Sequence, residues 1–285
     1  MIILQFYCHG YFATLFYGLC ASVRERMPGQ VKKMKRIQSA KNEKVKRWKK
    51  LLTKKERDKA GLFLVEGEHL VEEAGKAGLI RELIVTERFL GQLPAARYGA
   101  DELYLVSEEV GKAIADTETP QGIFAVCGKP EARDPEGKRF LLIDAVQDPG
   151  NLGTLIRTAD AAGLDGVVVG EGSADIYNPK VVRATQGSLF HLPVLPGSLE
   201  GWVETFRSRG IPVYGTALTG VSMYEIGPAP AFALLVGNEA RGVDPRLLEK
   251  TDANLHIPIY GMSESLNVSV AAGILLYHLR GRNSG

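Results

Sequence analysis

The chain has few cysteines, and their spacing argues against two classes of protein. Three cysteines occur in 285 residues, at Cys8, Cys20 and Cys127, with no C-x-x-C pair and no Cys/His cluster at metal-ligand spacing. Small disulfide-stabilised secreted domains are much richer in cysteine, and structural zinc sites need clustered ligands. The sequence therefore predicts no bound metal and is typical of a protein of the reducing cytoplasm.

Several nucleotide and hydrolase signatures are also missing. The chain contains neither the G-x-G-x-x-G turn of a dinucleotide site nor the G-x-x-x-x-G-K-[ST] loop of a triphosphate site. The G-x-S-x-G turn of serine hydrolases is absent as well, and the five histidines belong to no catalytic motif. These absences disfavour hydride transfer, ATP hydrolysis and Ser-His-Asp hydrolysis.

The first 33 residues differ in composition from the rest of the chain. They are apolar and aromatic, with no charged side chain before Arg24, yet they lack the basic start and cleavage site of a signal peptide. Polar residues and glycines within the segment weaken a membrane anchor. We expect an upstream extension or non-native start, with translation beginning at Met34 or Met27; a membrane-associated segment and a folded element are the alternatives.

Positive charge is concentrated at one end of the chain. Residues 32–59 hold fourteen Lys or Arg and three acidic residues, a net +11, so the remainder carries −9 within a total of +2. Such a segment attracts a polyanion, because each neutralised phosphate releases counterions. Nucleic acid is the leading partner, although a solubilising surface helix is the alternative. The candidate contacts share a helix predicted to begin near Asn42, and they are Lys44, Lys46, Arg47, Trp48 and Lys50.

Alternating strands and helices predict an α/β protein of two domains. Short apolar strands alternate with helices across residues 34–128, as in a small α/β/α sandwich. The charged, proline-containing segment at residues 129–139 is typical of a linker. A second domain, residues 140–285, begins with FLLIDAV, a continuous apolar run of the kind that forms a buried parallel strand.

Three polar loops follow apolar strands in this second domain. The loop QDPGNLG leads into the helix TLIRTADAAG, while LLVGNEARGV and HIPIYGMSESLNVSVAAG each pass from a strand into a glycine-containing loop. Ligands of parallel sheets bind outside the carboxyl ends of the strands. We therefore expect these side chains and backbone positions to form one site: Asn151, Gly237, Glu239 and Ser265.

The segments NLGTLIRTADAAG, VGNEARGV and IPIYGMSESLNVSVAAG resemble, in this order, the three motifs of the SpoU/TrmH family of RNA ribose 2′-O-methyltransferases, members of the SPOUT class. The resemblance covers about residues 140–281. EGEHLVEEA and DTETPQGIFAV also resemble the L30e-like substrate-binding domain found in many members. The resemblance implies S-adenosylmethionine as methyl donor, a C-terminal trefoil knot, and a homodimer with catalytic sites at the subunit interface.

The resemblance also implies roles for the catalytic residues. Arg157 matches the family arginine that acts as general base or as phosphate-assisted activator of the ribose hydroxyl. A guanidinium pKa above about 12 makes the base role costly, whereas holding a phosphate is easier. Asn151 is expected to orient the arginine or the nucleotide, and to cap its helix. Glu239 is expected to fix Arg157 or the active loop.

The remaining implied site residues concern cofactor and RNA. Ser265 and Asn267 match the SLN of the third motif and are expected to contact substrate and partner loops, with a structural role as the alternative for Asn267. Arg183 and Arg241 are candidates for phosphate contacts or plain surface arginines. Backbone groups of Gly237, Ile257 and Leu266 are expected to hold the cofactor, and Thr216 is a candidate for the pocket wall.

These inferences favour a structured RNA as substrate. The basic helix would bind phosphates and the small domain would select shape, while the catalytic domain splays out one nucleotide. The two-domain architecture favours ribosomal RNA, in particular 23S rRNA, over tRNA, and no membrane partner is expected. The alternatives are a non-catalytic RNA-binding or ribosome assembly factor, a tRNA ribose methyltransferase and an RNA base methyltransferase.

Overall fold

The computed structural model describes residues 34–90, 98, 100–131 and 134–281. The expectation for residues 1–33 lies outside these residues. Within the described part of the chain, no helix is both long enough and apolar enough to cross a bilayer.

The N-terminal half forms a five-stranded mixed sheet with helices packed against it. The sheet order is β1-β4-β3-β5-β2, in which β5 runs antiparallel to both of its neighbours. Every residue of β5 is buried, as expected for an inner strand covered on both faces. The elements are β1 (Met34–Ile37), α1 (Glu43–Lys50), α2 (Lys54–Ala60), β2 (Leu62–Glu66), α3 (Glu68–Lys76), β3 (Ile80–Thr86), α4 (Glu87–Leu90), β4 (Glu102–Val106), α5 (Glu108–Ile114) and β5 (Ile123–Gly128).

The basic segment forms two short helices rather than one long one. The Asn42 side chain accepts a hydrogen bond from the Lys44 amide at 2.8 Å and caps α1. Gly61 ends α2 in the left-handed conformation, with φ of 64°. The chain thus presents two basic helices that are anchored separately on the small domain.

Trp48 belongs to the core of this domain and not to its surface. It is 2% exposed, its ring meets Tyr104 edge-on at 5.1 Å, and its indole N–H donates to Glu82 at 2.7 Å. An indole held in this way cannot stack on a base. The prediction that Trp48 contacts RNA is therefore wrong, and its spacing with Val45 and Leu51 reflects helix packing instead.

The C-terminal half is built on a six-stranded sheet in which all strands are parallel, in the order β11-β9-β10-β6-β7-β8. This confirms the α/β fold class with a parallel second sheet; the threading of a trefoil knot stays a prediction. The elements are β6 (Arg139–Ile143), α6 (Pro149–Ala161), β7 (Gly166–Val169), α7 (Pro179–Thr185), a 3-10 helix (Ser188–Phe190), β8 (Val194–Pro196), α8 (Leu199–Ser208), β9 (Val213–Ser222), a 3-10 helix (Met223–Glu225), β10 (Phe232–Val236), α9 (Pro245–Leu248), β11 (Ala253–His256) and α10 (Val268–Arg280).

Helix α6 begins at Pro149, five residues earlier than the Thr154 start that the sequence pattern indicates, within the segment expected to be a loop. The Asp148 carboxylate accepts a hydrogen bond from the Asn151 amide at 2.8 Å, and Pro149 occupies the first turn. An acidic cap followed by proline is a favourable helix start. The expectation that Asn151 caps this helix is therefore wrong, because Asp148 is the cap. Asn151 lies inside the first turn of α6, where its side chain can leave the helix towards neighbouring loops.

The two halves are packed tightly on each other. The Phe63 ring of β2 packs against Tyr177 with ring centroids 4.8 Å apart, so one apolar core continues across the boundary. Beside it, Arg57 of α2 is 2% exposed and donates to Asp175 at 3.2 Å and to the Leu51 carbonyl at 2.8 Å. Because a buried cation needs such partners, this pair fixes α2 against the C-terminal half.

Candidate active site at the carboxyl edge of the parallel sheet

Three side chains join the loops that follow β6, β10 and β11. Glu239 Oε1 accepts hydrogen bonds from the Asp148 amide and from Asn151 Nδ2, each at 3.1 Å. Asn151 Oδ1 in turn accepts from Asn267 Nδ2 at 2.9 Å. The carboxylate and two amides thus form a continuous polar chain, and the expected convergence of Asn151 and Glu239 at this edge is found. We call Glu239, Asn151 and Asn267 the polar triad.

Each asparagine of the polar triad also shapes the start of a helix. Asn267 Oδ1 accepts from the Ser269 amide at 2.9 Å and caps α10. The Ser269 hydroxyl, which is 7% exposed, donates to the Asn151 carbonyl at 3.1 Å. The first turns of α6 and α10 are thereby tied together. Asn267 has the structural role considered from the sequence, while its contact with substrate stays a prediction; Ser269 was not a sequence candidate.

Glu239 is held as a carboxylate. Partial burial raises its pKa, but hydrogen bonds from its own amide, from Asn151 and from the amides of Asp148 and Gln147 outweigh this, and the net pKa lies below the ordinary value of 4.5. Its second oxygen accepts from the Gln147 amide at 3.3 Å. The acid therefore supplies a fixed negative charge that orders the first loop.

Asn238 stabilises the second loop and was missed by sequence reasoning. Its Nδ2 donates to the Ala145 carbonyl at 2.8 Å, and its Oδ1 accepts from the amides of Ala240 and Arg241 at 3.0 and 3.1 Å. An asparagine that bonds two and three residues ahead makes an Asx turn. The sequence did contain a signal for this role, because asparagine favours Asx turns and Asn238 stands between Gly237 and Glu239 in VGNEARG.

Arg157 lies on α6, two turns beyond Asn151, with an exposed side chain. Glu239 bonds the first loop and Asn151 instead of Arg157, so of the two contacts considered for that acid, the one to the loop is found. Arg157 makes no hydrogen bond or ion pair with any residue in the described part of the chain. Its guanidinium can therefore bind a ligand without first breaking an internal contact.

Gly237 occupies a position that no other residue fits. A Cβ atom there would lie 2.1 Å from the Val243 amide nitrogen and 2.2 Å from the Gly242 carbonyl carbon, both backbone atoms. The loop after β10 therefore folds back closely on the end of its own strand. Such an approach presents backbone groups at the sheet edge, which is what recognition of a flat ring requires.

The other residues expected at the cofactor differ in exposure. Leu266 is 37% exposed and Ile257 is half-buried on the loop after β11, while Thr216 is half-buried on β9. Their assignment to the adenosyl part of S-adenosylmethionine, together with backbone groups near Gly237, stays a prediction. Ser265 is exposed on the same loop, and its carbonyl accepts from Ser263 at 2.8 Å.

The predicted RNA contacts fall into two groups. Most have exposed side chains that point away from the core, namely Lys46, Arg47, Lys50 and Arg241. Two others are partly occupied. Lys44 is 24% exposed and pairs with Glu82 at 2.7 Å, and Arg183 pairs with Asp116 of the small domain at 2.8 Å. Arg183 thus contributes to the contact between the two halves.

Groups of His, Cys, Asp and Glu at metal-binding distances do not occur among the residues that the structure describes.

Comparisons with known proteins agree with this geometry. A model of the SpoU rRNA Methylase family matches residues 138–277, and a model of the MRM3-like substrate binding domain matches residues 42–125. A relative from Bacillus subtilis, the 23S rRNA (guanosine(2553)-2′-O)-methyltransferase RlmP, is 56% identical over 250 residues, which are 87% of this chain and 100% of that protein.

Two solved structures share the fold over most of their length. The AdoMet-bound rRNA methyltransferase from Sinorhizobium meliloti has a TM-score of 0.77 and 34% identity, and the match covers 87% of this chain and 97% of that one. A TrmH-family protein from Porphyromonas gingivalis has a TM-score of 0.76 and 37% identity, and the match covers 83% of this chain and 96% of that one. The resemblance seen in the three motifs is therefore confirmed: the chain belongs to the SpoU rRNA methylase family and is a methyltransferase that uses S-adenosylmethionine.

Proposed function

We propose that this protein methylates the 2′-hydroxyl of one guanosine in 23S rRNA. The observation that carries the proposal is the 56% identity to the RlmP protein over the whole of that relative, whose name gives this reaction. The polar triad and the exposed Arg157 supply a site of the corresponding chemistry. A ribosomal RNA substrate favours a cytoplasmic location.

The reaction requires a ribose hydroxyl in line with the sulfonium methyl group at an attack distance of about 3 to 3.5 Å. S-adenosylmethionine supplies an activated methyl group, which the Gly237 loop and Leu266 would hold at the sheet edge. Arg157 binds the phosphate beside the target ribose and so fixes the hydroxyl. We assign it this role because a guanidinium group gives up a proton only at a large cost in free energy.

The polar triad keeps the reacting groups in register. Glu239 and Asn267 hold Asn151 from opposite sides, at 3.1 and 2.9 Å, so the helix that carries Arg157 is fixed relative to the cofactor loops. Both oxygens of Glu239 already accept hydrogen bonds, from the amides of Gln147 and Asp148 and from Asn151, and its lowered pKa makes it a weak base. Its role is therefore to anchor this arrangement and not to accept the ribose proton.

The C-terminal helix supports a homodimer. Val270, Ile274 and Tyr277 recur on one face of α10 and are 51%, 38% and 57% exposed. Apolar side chains at this spacing form a continuous stripe, and stripes of this kind mark protein contacts. We propose that a second copy covers it. Because α10 begins beside Asn267, the interface would adjoin the active site.

The small domain would bring the RNA to this site. Lys46, Arg47 and Lys50 are exposed on α1, in keeping with contacts to the phosphates of a folded RNA. Their contribution would be strongest at low salt, since counterion release drives such binding.

The proposal is tested by transfer of labelled methyl groups from S-adenosylmethionine to ribosomal RNA from a strain without this gene. Nucleoside mass spectrometry should detect 2′-O-methylguanosine in 23S rRNA with the parent protein, and Arg157→Ala should abolish it. Arg207→Ala, an exposed arginine on α8, is the matched control and should retain activity. Cofactor binding without any labelled RNA would point to an assembly factor, and label on a base would point to another reaction.

A further inference from the structure

A crevice of about 540 Å³ lies between the two halves of the protein, outside the polar triad. Its walls come from the start of α2, from the loop between β7 and α7, and from the turn between β8 and α8. Volumes of about 300 to 1,000 Å³ are typical of sites for small molecules. The crevice is thus large enough for a nucleotide.

The crevice lies at the same edge of the parallel sheet as the active-site loops. The Ala174 amide in its wall donates to the Val146 carbonyl at 2.8 Å, and the Gly170 amide donates to the Ile143 carbonyl at 2.8 Å. The next residue after Val146 is Gln147, whose amide bonds Glu239. One wall of the crevice is therefore hydrogen-bonded to the segment that leads into the polar triad.

The crevice has a fixed shape. The buried pair of Arg57 with Asp175 joins its two sides. Lys129 pairs with Asp58 at 2.7 Å and lies 4.8 Å above the Tyr177 ring, so its charge is largely satisfied. A site held by such contacts across two domains needs little ordering when a ligand binds.

The remaining charges in the crevice are of both signs. The side chains of Lys54 and Glu171 line it, and neither forms an ion pair with a residue in the described ranges. The Ser173 hydroxyl in the same wall has no hydrogen-bond partner there either. A simple anion would be repelled by Glu171. A nucleotide, which carries both a phosphate and hydrogen-bond donors on its sugar and base, satisfies both charges.

We propose that this crevice binds a nucleotide of the substrate RNA that flanks the methylated one, with Lys54 on its phosphate and Glu171 accepting from its base or ribose. The inference rests on the proposed RNA methyltransferase function. The contact between the two halves then has a role in substrate choice. The crevice recognises a flanking base while the polar triad holds the target ribose.

Methylation kinetics with single variants provide the first test. Lys54→Ala and Glu171→Ala should each raise KM for a 23S rRNA fragment by about five- to ten-fold, with kcat at saturating RNA and the Kd for S-adenosylmethionine unchanged. Two controls should change KM less than two-fold: Lys55→Ala, at the next residue on α2, and Glu249→Ala, at an exposed acid after α9 that does not line the crevice.

Abasic substitution of the RNA then identifies the nucleotide. At one flanking position, loss of the base should raise KM for the parent enzyme but cause no further rise with Glu171→Ala, because both changes remove the same contact. Additive effects at every position would overturn the proposal, as would equal losses with the control variants. Inhibition by free guanosine monophosphate that depends on Lys54 would assign the crevice to a free nucleotide instead. If the parent enzyme methylates no rRNA, the proposed function itself fails.

Discussion

Asn267 donates a hydrogen bond to Asn151 at 2.9 Å, although the two residues are 116 positions apart in the chain. Each also belongs to the first turn of a helix or caps it, so the amide contact joins two helix starts at one point. Glu239 completes the arrangement from the third loop. Substitution of either asparagine therefore affects both the helix start and the site. A substitution that keeps the acceptor oxygen but removes the amide donor separates the two effects.

Asn267→Asp should lower activity with little loss of stability. The carboxylate still accepts from the Ser269 amide and caps α10, but it cannot donate to Asn151. We expect kcat to fall at least ten-fold, while the free energy of unfolding changes by less than about 1 kcal/mol. Denaturant titration and methylation kinetics measure the two quantities.

Asn178→Asp is the control for this substitution. Asn178 caps α7 through the Lys180 amide at 2.9 Å and lies outside the polar triad. The Asn178→Asp variant should keep the kcat of the parent protein. Equal activity of Asn178→Asp and Asn267→Asp would show that the Asn267 amide donor has no role in the reaction.

Gly237→Ala should abolish cofactor binding, because a Cβ atom would lie 2.1 Å from the backbone of Val243 and the loop would have to move. Gly227→Ala is a matched control, since a Cβ atom there meets nothing within 4 Å. Calorimetric titration with S-adenosylmethionine should show normal affinity for the control and none for Gly237→Ala. Retained affinity in both would contradict the placement of the cofactor beside this loop.

The pKa of Glu239 predicts how the site responds to acid. Its folded-state pKa lies below the ordinary value of 4.5, so the carboxylate contributes stability that is complete above that value and is lost as pH falls through the lowered pKa. Glu239 should therefore stay ionised between pH 6 and pH 8. Glu239→Gln should raise the Kd for S-adenosylmethionine by the same factor across this range. A rise in Kd that is confined to high pH would contradict the assignment.

The pKa of His191 predicts that the contact between the two halves becomes less stable as pH rises, whereas the Glu239 contribution is lost as pH falls. Its ring lies between Glu73 of the small domain, at 2.9 Å, and Asp160 of α6, at 2.8 Å, and hydrogen bonds that the ring donates to these two carboxylates raise the pKa of His191 above 6.5. A raised pKa contributes stability that is complete below about 6.5 and is lost as pH rises through the folded-state value. Lys76 and then His191 lower the pKa of Glu73 to about 2, so that acid stays charged throughout.

The measurement is thermal unfolding from pH 5.5 to pH 9 for the parent protein and His191→Gln. The difference in Tm should be largest at the acidic end and shrink as pH rises. His256→Gln serves as control, because His256 bonds a carbonyl within its own half. A constant difference in Tm would mean that His191 acts by packing alone.

The sequence predicts the polar loops well because strand ends and helix starts have local signals. Apolar runs placed β6 and β10, and motif residues after them placed Asn151 and Glu239 at one edge. Trp48 was misassigned because an amphipathic helix gives the same spacing whether its aromatic residue packs inward or lies at the boundary. Burial depends on the sheet beneath, which the helix sequence does not contain.

The contact between Arg57 and Asp175 illustrates a second limit. The two residues are 118 positions apart, and nothing near either of them in sequence indicates the other. Arg57 sits in a run of basic residues that predicts a solvated surface, yet it is buried. Long-range pairing of this kind follows from how the domains pack, so the crevice beside it was also beyond prediction.

Ile274→Lys tests the proposed dimer. Ile274 is 38% exposed in the middle of the apolar stripe on α10, so a lysine there costs little in an isolated subunit but places a charge within the interface. We expect sedimentation to show a dimer for the parent protein and a monomer for the variant, with a far-UV spectrum that is unchanged. Thr205→Lys, on the exposed face of α8, should remain dimeric. Loss of methylation together with loss of the dimer would follow from the closeness of α10 to Asn267, whereas a fully active monomer would mean that one chain holds the complete site.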